Sequence, residues 1–415
     1  MNDKVKTDTP EQAEFRAYCR DWLSKNRPGA PPPLDRRRDE THPGRKSQVW
    51  HDYQKAWQIS AYGGGLVGCD YPKEYGGGGR TDCQRVANQE MQRVGTPDFP
   101  GVTALMFGAA TILNHGSEYL KKRFIPKMLS GEEQWCQGFS EPNAGSDVAN
   151  QETFAEPKGD TWVINGQKIW TSMAEWADWM VLLCRTDRSH KHKGLTYFVA
   201  PVKANLGKSV DVRPLVQITG EAHFNEVFFN DLTIDDKYRL DEVGNGWSVA
   251  MTTLKFERSA GNLVQPLAGS LPSTDEAASA TAEPPLVRLA KRSMRFGKRA
   301  ADDPVIRDRV VQMHIRDTGF AQANRRSQVK GLVDHPMRIP LQAKLVGSEI
   351  TQDRAALAVD IEGASSTLSA TDKNAVAGAW SMQYVASCGG TLASGSSEIQ
   401  RNQLGERILG MPKSK

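Results

Sequence analysis

The pattern of hydrophobic and polar positions changes twice along the chain. Near the start, Phe15, Cys19 and Leu23 recur every four residues, which predicts an amphipathic helix. Two later stretches keep the same period, so the first part of the chain is predicted to be helical. The helical pattern covers residues 9–26, 49–60 and 103–129, the last split near Gly116.

From about Gln134 to Leu240 the period shortens to that of strands. Short apolar runs are bounded there by Gly, Asn, Asp or Pro, as in half-buried β-structure. Asn165-Gly166 lies between Ile164 and Gln167 and predicts a two-residue hairpin turn. This region is predicted to form a small β-barrel. The apolar runs are residues 161–164, 179–183, 195–199 and 226–229.

After Leu240 the helical period returns. A stretch rich in Ser, Thr, Ala, Glu and Pro interrupts it at residues 269–285 and is predicted to be a looped insertion. The order of elements predicts an α+β fold with domains at 1–132, 133–240 and 241–415. The helices predicted in the last domain are residues 247–263, 305–326, 338–359 and 396–409.

Composition narrows the class of protein. The chain has 415 residues, 39% hydrophobic and 25% charged, which is typical of a soluble protein with two or three domains. A net charge of +4 is too small to indicate nucleic-acid binding, and no apolar stretch approaches the roughly 20 residues of a membrane span. Six scattered cysteines favour reduced thiols and a cytoplasmic location. No spacing of Cys or His predicts a metal site.

Two segments carry candidate chemistry. Residues 138–147 (GFSEPNAGSD) are dense in small residues, hydroxyls and amides, and residues 168–172 (KIWTS) add a large aromatic at a strand edge. An isolated Trp in a strand is more often a core residue. Together, however, the two segments suit a ligand that is planar at one end and phosphorylated at the other, which points to a bound flavin.

These segments resemble the signature of the acyl-CoA dehydrogenase family, flavoenzymes that desaturate acyl-CoA thioesters between the α and β carbons. Two further segments, residues 245–258 and 393–402, match the family in the same order. The resemblance implies an N-terminal helical domain, a middle β-barrel and a C-terminal four-helix bundle. It also implies bound FAD and an acyl-CoA substrate.

The reaction needs a base for the α proton and an acceptor for the β hydride, and the flavin is that acceptor. Many family members place a Glu immediately before the glycine that is Gly395 here, but this chain has Ser394. Others use a Glu on the helix that opens the last domain, and Glu257 matches that position. The resemblance therefore makes Glu257 the predicted base, with Arg258 near the substrate thioester. The local pattern alone fits solvated helix charges about equally well.

The resemblance also implies roles around the flavin. Ser140 would hydrogen-bond the flavin ring, and Ser146 would bind its pyrophosphate or the nearby CoA. Trp170 would pack on the isoalloxazine, while Ser172 would reach its N5 or O4. In the last segment, Gly395 would allow close approach of the thioester, and Ser396 and Glu398 would contact the adenosine end, across a subunit interface in family members.

The chain departs from the family in three places. Besides Ser394, the arginines around Phe296 are shifted to Arg292 and Arg295, and residues 360–364 (DIEGA) replace a Gln-x-x-Gly-Gly segment. These departures resemble a bacterial subgroup that oxidises bulky acyl-CoAs such as steroid side-chain thioesters. Some members of that subgroup are heteromers, so a homotetramer and a heterotetramer with a related chain both stay open.

The predicted electron acceptor is an electron-transfer flavoprotein. Two other functions remain open at this stage. One is a non-catalytic partner subunit of a heteromeric acyl-CoA dehydrogenase, and the other is a flavin-dependent oxidase or monooxygenase of the same fold. Rapid oxygen consumption with a substrate would favour the oxidase, whereas no loss of activity on changing Glu257 would favour the partner subunit.

Overall fold

The computed structural model describes residues 8–33, 46–259, 283–326, 329, 331–368 and 379–413. The chain divides into two compact units, Met1–Leu267 and Ala268–Lys415. Most of the insertion predicted at 269–285 lies outside the described residues, as does the end of the helix predicted at 247–263.

The first unit begins with helices, as predicted. Thr9 caps the first of them, accepting a hydrogen bond from the Gln12 amide while the Gln12 side chain accepts from the Thr9 amide. A π-helical turn, Ala104–Gly108, precedes the fourth helix. The helices are α1 Pro10–Lys25, α2 Gln48–Gly63, α3 Cys83–Arg93, α4 Ala109–His115 and α5 Glu118–Ser130.

The middle of the chain is rich in strands, as predicted, and they form one mixed sheet with the order β6-β7-β3-β2-β4-β5-β8. Strand β1 pairs in parallel with β4. The strands are β1 Trp135–Gly138, β2 Phe154–Lys158, β3 Thr161–Ser172, β4 Trp179–Arg185, β5 Leu195–Pro201, β6 Val210–Leu215, β7 Phe224–Asp235 and β8 Arg239–Leu240.

The predicted turn at Asn165-Gly166 is wrong, because β3 runs straight through both residues. The strand register against β7 shifts there, because Asn230 and Asp231 of β7 together face the single residue Asn165, so the bulge lies on β7. A Cβ at Gly166 would lie 2.6 Å from the Thr153 backbone, and Asn165 instead pairs with Asp231 on β7. The true hairpin turns between β2 and β3, where Gly159 takes a φ of +65°.

Helix α6, Gly246–Ser259, ends the described part of the first unit and packs against β5 and α4. Its inward residues Val249 and Ala250 are completely buried in the core formed by the helices and the sheet. Beside it, His115 Nδ1 lies 2.9 Å from an Asp241 carboxylate oxygen, and His115 Nε2 lies 2.8 Å from the Thr252 hydroxyl. These contacts fix α6 against the end of α4.

The second unit is mainly helical, which completes the predicted order of helical, sheet-rich and helical parts. Among the described residues, no helix is both long and apolar enough to cross a bilayer. The elements are α7 Pro285–Arg292, β9 Met294–Arg295, β10 Lys298–Arg299, α8 Pro304–Arg325, α9 Arg338–Glu362, α10 Ala379–Gly390 and α11 Ser397–Gln403.

Candidate active site

The loop after β1 and the last residues of β3 meet at one end of the strands. The amide of Ile169 donates a hydrogen bond of 2.8 Å to the carbonyl of Ser140. This bond joins the two segments in which the sequence predicted flavin-binding residues.

Trp170 lies on a bulge near the end of β3. Ile169 and Trp170 together face the single residue Glu226 of β7, and the φ of Trp170 is +60°. The indole is 54% exposed, and it makes an edge-to-face contact with Phe224 at 5.8 Å between ring centroids. A positive φ is costly for a bulky residue, so the sheet holds this aromatic face outward under backbone strain.

The predicted serines surround this region with different exposures. Ser140 and Ser172 are half-buried, one at the start of the loop and the other at the end of β3. Ser146 is exposed beside Gly145, where an added Cβ would meet nothing within 4 Å. The loop therefore offers polar groups and open backbone on its outer side.

A buried ion pair lies beneath the loop, and the sequence analysis missed it. The Lys168 ammonium is completely buried, 2.7 Å from a Glu141 carboxylate oxygen and 2.8 Å from the amide oxygen of Gln151. It also donates to the carbonyl of Phe139. One lysine of β3 thus binds the loop at three points, and we call these four residues the ionic network.

Both carboxylate oxygens of Glu141 accept hydrogen bonds. Besides Lys168, it accepts hydrogen bonds from the amides of Glu152 and Thr153 at 2.6 and 3.0 Å. Burial acts to raise the pKa of Glu141, but Lys168 and these donors outweigh it and hold the pKa below its usual value. Arg185 extends the support, donating 2.7 and 2.6 Å bonds to the carbonyls of Gln151 and Ala149.

Glu257 is half-buried on the last turn of α6. Thr253 precedes it by four residues and so lies on the same helix face. The Thr253 hydroxyl lies 3.1 Å from the Tyr197 hydroxyl, and the Tyr197 ring packs edge-to-face on Phe139 at 5.8 Å. The face of α6 that carries Glu257 is therefore connected through Tyr197 to the loop that begins at Phe139.

The remaining predicted site residues are Arg258, next to Glu257, and three residues near the end of the chain. The side chain of Arg258 lies outside the described residues. In the second unit, Gly395 has a φ of +93°, and Gln400 donates to its carbonyl. Ser396 caps α11 by accepting from Ile399, and Glu398 in that first turn has a pKa lowered by its own amide and by Ser396.

FAD is the group that this set of residues implies, and the first unit offers what its flavin end requires. The exposed face of Trp170 suits an isoalloxazine ring. Half-buried hydroxyls at Ser140 and Ser172 provide donors for ring heteroatoms, and the open backbone at Gly145 suits a phosphate group.

Family models match almost the whole length of the chain. The acyl-CoA dehydrogenase N-terminal domain matches residues 9–132, the middle domain 136–232 and the C-terminal domain 244–409. The chain belongs to the acyl-CoA dehydrogenase family, and it is an FAD-dependent oxidoreductase of that class.

Particular relatives match nearly the whole chain as well. Acyl-CoA dehydrogenase IpdE1 of Mycolicibacterium smegmatis is 36% identical over 97% of this chain and 98% of its own. The Tcur3481–Tcur3483 steroid ACAD superposes with a TM-score of 0.72 at 25% identity, covering 98% of this chain and 99% of the other. The ChsE4–ChsE5 complex of Mycobacterium tuberculosis gives a TM-score of 0.71 at 24% identity, with 99% and 100% coverage.

Proposed function

We propose that the chain removes one proton and one hydride from the α and β carbons of an acyl-CoA thioester, with Glu257 as the base. Bound FAD supplies the hydride acceptor. The α C–H bond breaks, its proton passes to the Glu257 carboxylate, and its electron pair forms the new double bond as hydride leaves the β carbon. The products are an enoyl-CoA, reduced flavin and a protonated Glu257.

The observation that carries this proposal is the connection between Glu257 and the loop. Thr253, on the Glu257 face of α6, bonds to Tyr197, which packs on Phe139 of the loop. A base must lie within hydrogen-bond reach of its proton, so a common anchor for base and loop supports the assignment. Ser394 at the alternative position has a hydroxyl that cannot serve as an unaided base.

We also propose a bulky acyl group, with the steroid side chain as the candidate class. Support comes from the Tcur3481–Tcur3483 steroid ACAD, which this chain matches over 98% of its length. That relative is named as a pair of chains, which favours testing a heterotetramer with a related chain beside a homotetramer. The proposed acceptor of the electrons is an electron-transfer flavoprotein, because the reduced flavin must be reoxidised after each turnover.

The base can be tested apart from the flavin. The holoenzyme is reduced with dithionite, so that only proton exchange remains, and acyl-CoA is incubated with it in D₂O. The panel contains butyryl-CoA, octanoyl-CoA, isovaleryl-CoA and a steroid with a CoA-thioesterified side chain. Proton NMR measures the loss of the α proton, and a parallel oxidised sample measures bleaching of the flavin band.

Glu257→Gln should slow α-proton exchange by about 10²–10⁴-fold while FAD content and fold are kept. Glu242→Gln is the matched control, because Glu242 is an exposed glutamate just before α6. Exchange at the parental rate in Glu257→Gln would show that another group is the base. The thioester that bleaches the parental flavin fastest identifies the acyl class, and bleaching only by the short acyl-CoAs would contradict the steroid assignment.

A further inference from the structure

Three buried hydroxyls form a chain under the helix that carries Glu257. The Tyr197 hydroxyl lies 3.1 Å from Thr253 Oγ1, which lies 3.0 Å from Thr111 Oγ1. None of the three side chains has any exposed surface. We call them the hydroxyl chain. It joins β5, α6 and α4, so it spans the sheet and both helices at the point where α6 is anchored.

The hydroxyl chain has fewer protons than contacts. Thr111 also lies 2.8 Å from the carbonyl of Phe107, and Thr253 lies 3.1 Å from the carbonyl of Val249. Two hydroxyl–hydroxyl contacts and two hydroxyl–carbonyl contacts therefore share three protons. One contact is always without a proton, so the chain can donate in either direction by rotation of its hydroxyls.

Thr253, the middle member of the hydroxyl chain, lies one turn of α6 before Glu257. Thr253 and Glu257 are four residues apart on α6, which places their Cβ atoms about 5–6 Å apart on one face. Burial raises the pKa of Tyr197, and the charge of Glu257 adds to that effect, so Tyr197 keeps its proton. Tyr197 also packs on Phe139 of the loop.

We infer that Tyr197, acting with Thr253, is a positioning residue that orients the Glu257 carboxylate toward the substrate and reverses its hydrogen-bond direction when Glu257 takes up the α proton. The inference rests on the proposed role of Glu257 as the base. Before proton transfer the chain donates toward the carboxylate. Afterwards the same hydroxyls turn toward the Phe107 carbonyl at the far end, and no charge has to move within the core.

The test uses the holoenzyme with dithionite-reduced flavin in D₂O and the thioester of the panel that bleaches the parental flavin fastest. Tyr197→Phe and Thr253→Val each remove one hydroxyl with little change in shape. Each should slow α-proton exchange about tenfold, the effect of roughly one lost hydrogen bond. The dissociation constant of the acyl-CoA and the FAD content should stay at parental values.

Thr253→Ser is the matched control, because it keeps the hydroxyl and loses only a methyl group. It should exchange near the parental rate, and the double variant Tyr197→Phe/Thr253→Val should be no slower than either single variant. Exchange as slow in Thr253→Ser as in Thr253→Val would overturn the inference, since packing would then be responsible.

The inference and the proposed function fail in different ways. Parental exchange in Glu257→Gln would refute the base, and with it the reason for a positioning residue. Slow exchange in Glu257→Gln combined with parental exchange in Tyr197→Phe would refute only the role of the hydroxyl chain. Thermal unfolding of each variant separates a misfolded sample from a folded one with a misplaced carboxylate.

Discussion

Two buried polar clusters support the candidate active site, and they are built from different chemistry. The ionic network under the loop consists of charged and amide groups around the Lys168 ammonium. The hydroxyl chain under α6 contains no charge at all. Both clusters are buried, and both connect a site element to the body of the first unit.

The difference follows from what each cluster supports. The loop has to keep one shape, and a fully bonded buried ion pair gives a single well-defined arrangement. Glu257 is proposed to change its charge in every turnover. A fixed ion near it would favour one protonation state strongly, whereas hydroxyls reorient at little cost. The loop, which keeps one shape, is thus supported by the charged ionic network. The helix that carries Glu257 is supported by the neutral hydroxyl chain.

Lys168→Met is expected to have the largest effect. It leaves the Glu141 carboxylate buried without its cation, which should lower the free energy of unfolding by about 3–5 kcal/mol. Denaturant unfolding with FAD content measured in parallel would show both the loss and its consequence for the loop. Adding Glu141→Gln removes the uncompensated charge and should recover part of the stability. A Lys168→Met protein of parental stability would mean that the ion pair contributes nothing net.

Acid should weaken the ionic network before it affects the hydroxyl chain. The pKa of Glu141 in the folded protein lies below its usual value. Its contribution to the free energy of unfolding is therefore complete above about pH 4.5 and is lost as the pH falls through the folded pKa. One such proton gives a slope of at most about 1.4 kcal/mol per pH unit. The slope of the unfolding free energy against pH, measured between about pH 5 and about pH 3, should be smaller in Lys168→Met/Glu141→Gln than in the parent. Equal slopes would assign the acid sensitivity to other carboxylates.

The sequence predicted the segments of the site better than their shapes. Period and turn residues located the strands and helices, but Asn165-Gly166 was assigned to a hairpin because the dipeptide favours one. In the structure β3 continues through both residues, the bulge lies opposite on β7, and Gly166 passes close to the Thr153 backbone. The strained outward Trp170 depends on the register with β7, a long-range property that no local pattern contains.

The two supporting clusters left weaker signals. In β3, Trp162, Ile164 and Lys168 are separated by even numbers of residues, as expected for one face of a strand, and all three are buried. An inward lysine needs an acid, so the alternation could have directed attention to Glu141 in the loop. On α6, Val249 and Thr253 precede Glu257 at four-residue spacing, but a threonine on an inner helix face has no particular chemical signature. Its partners Thr111 and Tyr197 come from distant parts of the chain.

Trp170→Ala should act on cofactor binding more than on folding. The indole is 54% exposed, so its removal takes little from the core, but it deletes the proposed stacking face for the flavin. We expect the dissociation constant of FAD to rise about tenfold. Trp170→Phe keeps an aromatic face, so its dissociation constant for FAD should lie between those of the parent and Trp170→Ala. Fluorescence of released flavin measures all three. Unchanged retention in Trp170→Ala would contradict the stacking role.

The smallest expected effect compares the two clusters directly. A double-mutant cycle of Thr111→Val with Thr253→Val should give a coupling of about 0.5–1 kcal/mol, because neutral hydroxyls share modest hydrogen bonds. The matching cycle of Lys168→Met with Glu141→Gln should give a larger coupling, since each single variant there leaves a buried charge or polar group unpaired. Both cycles are measured by denaturant unfolding at neutral pH. If the hydroxyl cycle were the larger of the two, the neutral chain would be the more rigid support, and a hydroxyl direction that reverses with the charge of Glu257 would be untenable.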